Sequence, residues 1–179
     1  FGLDYRGHGL SGGNRADSPS KQRWIADLAE SVSFVKGLGY PKVIVMGHSL
    51  GVAAAIYAAK AIPEETAGLM LLSGGYEKRE TDKAPMPFLQ KAKILASSIF
   101  RPSYQAVEYY RENMTGSHDP LFNFKYTLRF LSMLDVNELI LPESLNVPVL
   151  VAVGDKDELF TVESVEQVFD DIPGTKKEF

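Results

Sequence analysis

The sequence predicts an α/β protein built on a mostly parallel sheet with flanking helices. Three observations lead there. Short apolar runs, Val43-Ile44-Val45-Met46, Ala67-Gly68-Leu69-Met70-Leu71-Leu72 and Val149-Leu150-Val151-Ala152-Val153, read as buried strands. The stretches between the early strands carry apolar residues at helical spacing, and that alternation makes parallel crossover units. The strand runs end in Gly47, Ser73-Gly74-Gly75 and Gly154-Asp155, at the carboxyl edge where sites on such sheets collect.

The chain has 179 residues, enough for one domain or a core with a small insertion. With 45% hydrophobic and 23% charged residues it can bury a core of useful size. A net charge of −4 gives no sign of a nucleic-acid or anionic-membrane partner. Without cysteine there are neither disulfides nor thiolate metal sites, so the redox compartment stays open. A cytoplasmic location is the default expectation. No apolar run reaches the length of a membrane span, so stable membrane insertion is not expected. Phe1-Gly2-Leu3-Asp4 begins in mid-pattern, and the chain is expected to be a segment of a longer one, in which any leader peptide would be invisible.

Taken in order, Phe1 to Asp4 reads as the end of a strand. The glycine-rich Asp4–Gly13 stretch is a loop; it lacks the Lys-Ser/Thr ending of a phosphate-binding loop. His8 within it reads as a loop histidine bonded to backbone in preference to a catalytic one. Ser18-Pro19-Ser20 starts a helix whose apolar stripe is Ile25, Leu28, Val32 and Val35, widened by Trp24 and Phe34. Gly37 and Gly39 end it, and Pro41 opens the Val43 strand. The helix from Leu50 to Ile62 is rich in alanine, which lets it lie close to a sheet.

From Tyr76 to about Leu141 the alternation stops, and the region reads as helices without an obvious strand. Phe88, Leu89, Ala92, Leu95 and Ala96 make one face; Tyr104, Val107 and Tyr110 or Arg111 a second; Leu121 to Leu134 a third, very apolar run. His118 falls on a polar loop. Prolines punctuate the region, among them Pro85 and Pro142. The expected organisation is an α/β core in residues 1–75, a helical lid or cap in 76–142 and the rest of the core in 143–179. The insertion's apolar residues either wall a pocket or pack its own interior. Thr161 caps a last helix whose buried face is Val162, Val165, Val168, Phe169 and Ile172, and Thr175–Phe179 opens a further strand.

Gly47-His48-Ser49-Leu50-Gly51 carries the chemistry. A strand that becomes a helix within so few residues forces Ser49 into strained backbone geometry, and Gly47 and Gly51 let strand and helix approach. The hydroxyl then sits at the sheet edge beside the free N–H groups of a helix start. An ordinary glycine-rich turn in a Rossmann-like unit is the competing reading. A serine hydroxyl needs a base, and the base needs an orienting acid. In the known strand–serine–helix elbow the chain order is nucleophile, acid, histidine. Asp155 or Asp157, after the Val149 strand, supplies the acid; each is otherwise a turn residue solvating a strand end. No histidine follows. His8, His48 and His118 all precede the acid, so the base is expected beyond Phe179. The Leu50 N–H is expected to be one oxyanion donor and the other to lie upstream of Phe1; losing one such donor costs roughly 100- to 1,000-fold in rate. The isolated segment is therefore expected not to turn over substrate.

At these residues the chain resembles the α/β-hydrolase superfamily, and within it the monoacylglycerol lipase/lysophospholipase-like branch, also grouped as serine aminopeptidase-like. Asp4-Tyr5-Arg6-Gly7-His8-Gly9-Leu10-Ser11 resembles that branch's Asp-x-Arg-Gly-x-Gly-x-Ser loop, and Gly47–Gly51 its elbow. Gly154-Asp155-Lys156-Asp157 resembles its Gly-x-x-Asp, which implies Asp157 as the acid with Asp155 as runner-up. The resemblance implies a lid-bearing α/β-hydrolase fold, a His-Gly oxyanion segment before Phe1 and a catalytic histidine soon after the Thr175–Phe179 strand. Val52 departs from it, where a second glycine is frequent.

The expected function is hydrolysis of carboxylic esters, of lipid or acylglycerol type, through an acyl-enzyme on Ser49. The same residues would serve a thioesterase or amidase. Cofactor-free haloperoxidase-like chemistry and a non-catalytic ligand-binding protein are the alternatives. No metal or organic cofactor is implied, the partner is a small-molecule ester or lipid, and the oligomeric state is not readable.

Overall fold

The computed structural model of the chain describes residues 1–75, 87–109, 114, 116–134, 141, 143 and 145–179. The elements are α1 (Lys21–Gly37), β1 (Val43–His48), α2 (Leu50–Ala61), β2 (Thr66–Leu72), α3 (Phe88–Phe100), β3 (Val107–Glu108), β4 (Lys125–Tyr126), α4 (Leu128–Leu131), β5 (Val149–Ala152), α5 (Val162–Asp171) and β6 (Lys177–Glu178). They fall into two compact units, Phe1–Asp27 with Lys83–Leu134, and Leu28–Asp82 with Asp135–Phe179.

The second unit holds the sheet, in the order β1-β2-β5-β6 with every neighbouring pair parallel. Leu71 of β2 pairs with Gly47 of β1 on one side and Val151 of β5 on the other. Flanked on both edges, β2 buries Leu69 and Leu71 almost completely. The alanines of α2 are why that helix is buried from Gly51 to Ala59: short side chains let its axis lie near β1 and β2. α5 starts where the Thr161 hydroxyl accepts the Ser164 N–H at 3.1 Å, and buries Val165, Val168 and Ile172; Val162 and Phe169 are only half-buried. β6 supplies the strand expected in Thr175–Phe179.

Three sequence expectations need correction here. Val43–Met46 is not fully buried: Ile44 and Met46 are each 62% exposed, because among the described residues β1 pairs only with β2 and packs one face on α2. Phe1–Asp4 forms no strand, since no described residue offers it a ladder of hydrogen bonds. Phe34 is exposed, because two residues past the buried Val32 lies the opposite side of α1.

In the first unit, Ser20 caps α1, its hydroxyl accepting the Arg23 N–H at 3.1 Å. The Asp4–Asn14 loop is closed by Gly7 N–H to Gly12 O (3.0 Å) and Ala16 N–H to Gly7 O (2.8 Å). Gly7 is required there: φ is 74°, and a Cβ would lie 2.1 Å from the Asn14 carbonyl. Arg6 clamps Asp27 with two bonds of 2.8 and 2.9 Å, which holds the loop on α1. Trp24 and Phe130 are fully buried with centroids 5.5 Å apart, and Tyr5, His8 and Tyr126 complete the aromatic core. Asp17, 2% exposed, accepts from Thr127 Oγ1 at 2.8 Å and Arg129 Nε at 2.9 Å.

This unit also departs from the helical expectation. β3 and β4 pair antiparallel, Val107 with Tyr126, so Tyr104–Val107 is no helix. The Leu121–Leu134 run breaks into turn, strand and the single-turn α4, a case where a dense apolar run hides its period. α3 does gather Phe88, Leu89, Ala92, Leu95 and Ala96 on one face, but it has no buried residue. Pro85, Tyr110, Arg111 and Pro142 lie outside the described residues.

Candidate active site

The elbow lies in the sheet-bearing unit, where β1 runs straight into α2. Ser49 is the residue between them, with φ 53° and ψ −117°. For a residue with a Cβ this conformation is costly, and it persists because both sides hold it. On one side the Ser49 N–H donates to Leu72 O of β2 at 2.9 Å; on the other its carbonyl accepts the Val52 N–H at 3.0 Å. The Ser49 side chain makes no capping hydrogen bond to α2, although serine is a favoured cap. Leu50 opens the helix, where backbone N–H groups have no intrahelical acceptor. His48 is exposed, and Ser49 and Leu50 are half-buried.

Glycine is needed before the elbow, at Gly47, and beside it, at Gly74. A Cβ on Gly47 would stand 2.0 Å from Gly51 O and 2.7 Å from Val52 N. A Cβ on Gly74, after β2, would meet Val52 Cγ2 at 2.5 Å. Gly47 and Gly74 thus let the start of α2 seat against the ends of β1 and β2.

Asp157 sits in the turn after β5. Its Oδ1 accepts the N–H groups of Leu159 (2.8 Å) and Phe160 (2.9 Å), and its own N–H donates to Gly154 O at 3.1 Å. The Ser73 hydroxyl, at the end of β2, donates to the same carboxylate. Burial pushes the Asp157 carboxyl up, but the Phe160 and Leu159 N–H groups, the Ser73 hydroxyl and the charge of His48 outweigh it, and the net pKa lies below the ordinary carboxylate value. Asp155 is exposed.

Ser49 and Asp157 are tied through two adjoining residues: Leu72 O holds the Ser49 backbone and Ser73 holds the Asp157 side chain. Both therefore stand at the carboxyl ends of the two parallel strands, β1 and β5, that flank β2. Ser73 is the residue that sequence reading missed. It has φ 50° and donates its N–H to Ala152 O at 2.8 Å, which turns the chain toward β5. The Ser73-Gly74-Gly75 run marked a strand end, but its partner depended on strand order.

The remaining histidines are placed elsewhere in the chain. His8 Nδ1 lies 3.0 Å from Arg6 O, as expected of a loop histidine, and its ring stands 5.2 Å from Phe130. Burial pulls its pKa down, with the Arg6 carbonyl working against that. His118 occupies an exposed turn. Among the described residues no three His, Asp or Glu side chains converge as a metal site would require.

The chain matches the family "Serine aminopeptidase, S33" over residues 1–179. No curated protein matches it. Solved structures of similar fold include a monoacylglycerol lipase from Paleococcus ferrophilus, at 19% identity and TM-score 0.70, covering 97% of this chain and 68% of that one. A soluble variant of monoglyceride lipase from Saccharomyces cerevisiae, in complex with a substrate analog, matches at 17% identity and TM-score 0.65 over 98% and 65%. An esterase from Exiguobacterium antarcticum matches at 20% and 0.61 over 99% and 70%. The chain thus spans about two thirds of the length of these structures. The fold is that of an α/β-hydrolase, with the mostly parallel sheet and flanking helices expected from sequence.

Proposed function

The chain belongs to the serine aminopeptidase S33 family, and from that premise we propose that it carries the nucleophile and the acid of a serine hydrolase cleaving carboxylic esters. The observation that supports this most is the tie between Ser49, strained at the β1–α2 junction, and Asp157, held at the β5 end through Leu72 and Ser73. In the proposed reaction the Ser49 oxygen attacks the ester carbonyl, and its proton passes to an imidazole. The tetrahedral oxyanion takes a hydrogen bond from the Leu50 N–H. Collapse breaks the ester C–O bond, and the imidazolium returns the proton to the departing alcohol. Water then cleaves the acyl-enzyme by the same route in reverse. Asp157 orients the imidazole and stabilises its cation.

We assign the base to an imidazole other than the three in this sequence. His8 is packed among rings with Nδ1 at a carbonyl. His118 is in an exposed turn. His48 adjoins Ser49, where a sharp turn sends successive side chains apart. The insertion at 76–142 is proposed as the cap under which an apolar acyl chain is held, supported by its aromatic and aliphatic content. The lipases of similar fold make monoacylglycerols the first esters to try.

The test is fluorophosphonate labelling of the full-length protein, followed by a chain-length series of p-nitrophenyl esters. Ser49 should be the labelled residue, and Asp157→Asn should slow hydrolysis by orders of magnitude where Asp155→Asn does not. A full-length protein whose Ser49 stays unlabelled would be a binding module instead.

A further inference from the structure

The run Ser73-Gly74-Gly75, leaving β2, touches both turns of the proposed catalytic pair. Toward the nucleophile, a Cβ on Gly74 would lie 2.5 Å from Val52 Cγ2, 2.8 Å from Val52 Cβ and 3.2 Å from the Ser49 carbonyl oxygen. Toward the acid, a Cβ on Gly75 would lie 2.8 Å from Ser164 Oγ, 3.0 Å from the Ser164 carbonyl oxygen and 3.2 Å from Phe160 Cδ1. Val52, Phe160 and Ser164 are 3%, 5% and 8% exposed, so none has solvent to swing into. Neither glycine has a left-handed φ, so proximity and not torsion calls for glycine at both positions. Ser73, the residue before them, does have one (φ 50°), and its hydroxyl donates to the Asp157 carboxylate.

Each contact ends on a group that holds a reacting side chain. The Val52 N–H donates to the Ser49 carbonyl at 3.0 Å, so displacing Val52 displaces the strained elbow. The Phe160 N–H donates to Asp157 Oδ1 at 2.9 Å, and Ser164 stands in the first turn of α5, which is capped by the residue after Phe160. A close-packed interior passes such displacements on instead of absorbing them. We propose that Ser73-Gly74-Gly75 is the spacer that sets where Ser49 stands relative to Asp157, with Gly74 bearing on the elbow and Gly75 on the acid turn. Both glycines are positioning residues. Val52 joins them: its side chain fills the space that a Cβ at position 74 would need, so Val52 and Gly74 form one steric pair. That accounts for a valine where the elbow pattern has a second glycine. The proposal rests on Ser49 and Asp157 being nucleophile and acid, but the placement itself can be read without activity.

The experiment compares Gly74→Ala, Gly75→Ala, Val52→Gly and the pair Val52→Gly with Gly74→Ala in the full-length protein. The readouts are p-nitrophenyl ester kinetics, fluorophosphonate labelling, carbon-13 titration of the Asp157 carboxyl and urea midpoints. Gly74→Ala should lower kcat about 100-fold, as a misplacement of roughly 1 Å does, with KM near the parent's. Adding Val52→Gly should restore most of the lost rate and of the urea midpoint. Gly75→Ala should also lower kcat at steady KM. It should in addition raise the Asp157 carboxyl toward its ordinary value, because a displaced Phe160 N–H supports the charge less. Gly74→Ala should leave that titration where it is, a split that loss of stability alone would not produce. Parent-like kcat in both alanine variants overturns the proposal, as does a Val52→Gly that leaves Gly74→Ala as impaired as before. If Gly74→Ala does not fold, a paired variant that folds supports the steric pair, and one that fails beside a folded Val52→Gly overturns it. A parent protein unlabelled at Ser49 sinks the hydrolase reading instead; the titration split and the rescue of the urea midpoint then still decide for or against the spacer.

Discussion

Gly47 and Gly51 face each other so closely across the elbow that a methyl group on Gly47 would sit 2.0 Å from the Gly51 oxygen. The obstacle is backbone, which cannot rotate away as a side chain would. Gly47→Ala should therefore destabilise the fold by about 3 kcal/mol or more, the upper range for overpacking. Urea unfolding measures it; an unchanged midpoint would mean that strand and helix are not seated as described.

Ser49 should be worth more to chemistry than to stability. Its φ of 53° carries roughly 1–2 kcal/mol of strain for a residue with a Cβ, and its hydroxyl caps nothing on α2. Ser49→Gly is expected to be about 1 kcal/mol more stable than Ser49→Ala, since alanine keeps the strain. Both variants should lose fluorophosphonate labelling in the full-length protein. Equal stabilities would show that the elbow is relaxed.

Ser73→Ala removes the hydroxyl that steadies Asp157 and should raise that carboxyl toward its ordinary value. The sign for stability follows from the depressed folded pKa. The stabilisation is complete above the unfolded value of roughly 3.9 and is lost as pH falls through the folded one. Ser73→Ala should thus lose stability at neutral pH and converge with the parent protein in acid. A carbon-13 titration of the Asp157 carboxyl reads the shift directly. A loss of stability with the titration unmoved would make Ser73 only a turn residue.

Arg129→Ala would strand the buried Asp17 carboxylate, leaving Thr127 as its remaining side-chain donor. Breaking one side of such a pair costs about 3 kcal/mol or more. Asp17→Asn with Arg129→Met, which removes both charges, should recover much of it. Thermal unfolding of the single and double variants separates the two cases.

How far the sequence could be read depended on the range of the forces involved. Gly47-x-Ser49-x-Gly51 was legible because its demands are local: a strand, a helix and no room for side chains between them. Thr161 was legible as a cap, and Ser18-Pro19-Ser20 as a helix start, for the same reason. Phe34, Ile44 and Met46 were misjudged because their apolar character was visible and their neighbours were not. β3 and β4 were missed because two-residue strands leave no period to detect. Ser73 escaped because nothing near it in sequence mentions Asp157; the two meet only because β5 lies beside β2.

By itself the sequence determined which segments are strands and helices in the sheet-bearing unit, and where the serine and carboxylate fall along them. It also set which residues of α3 share a face. Only the tertiary structure decided that β2 lies between β1 and β5, that Ser73 reaches Asp157, and that the apolar face of α3 points outward. Torsional preference and periodicity act over a few residues, whereas the side that meets water is set by elements distant along the chain.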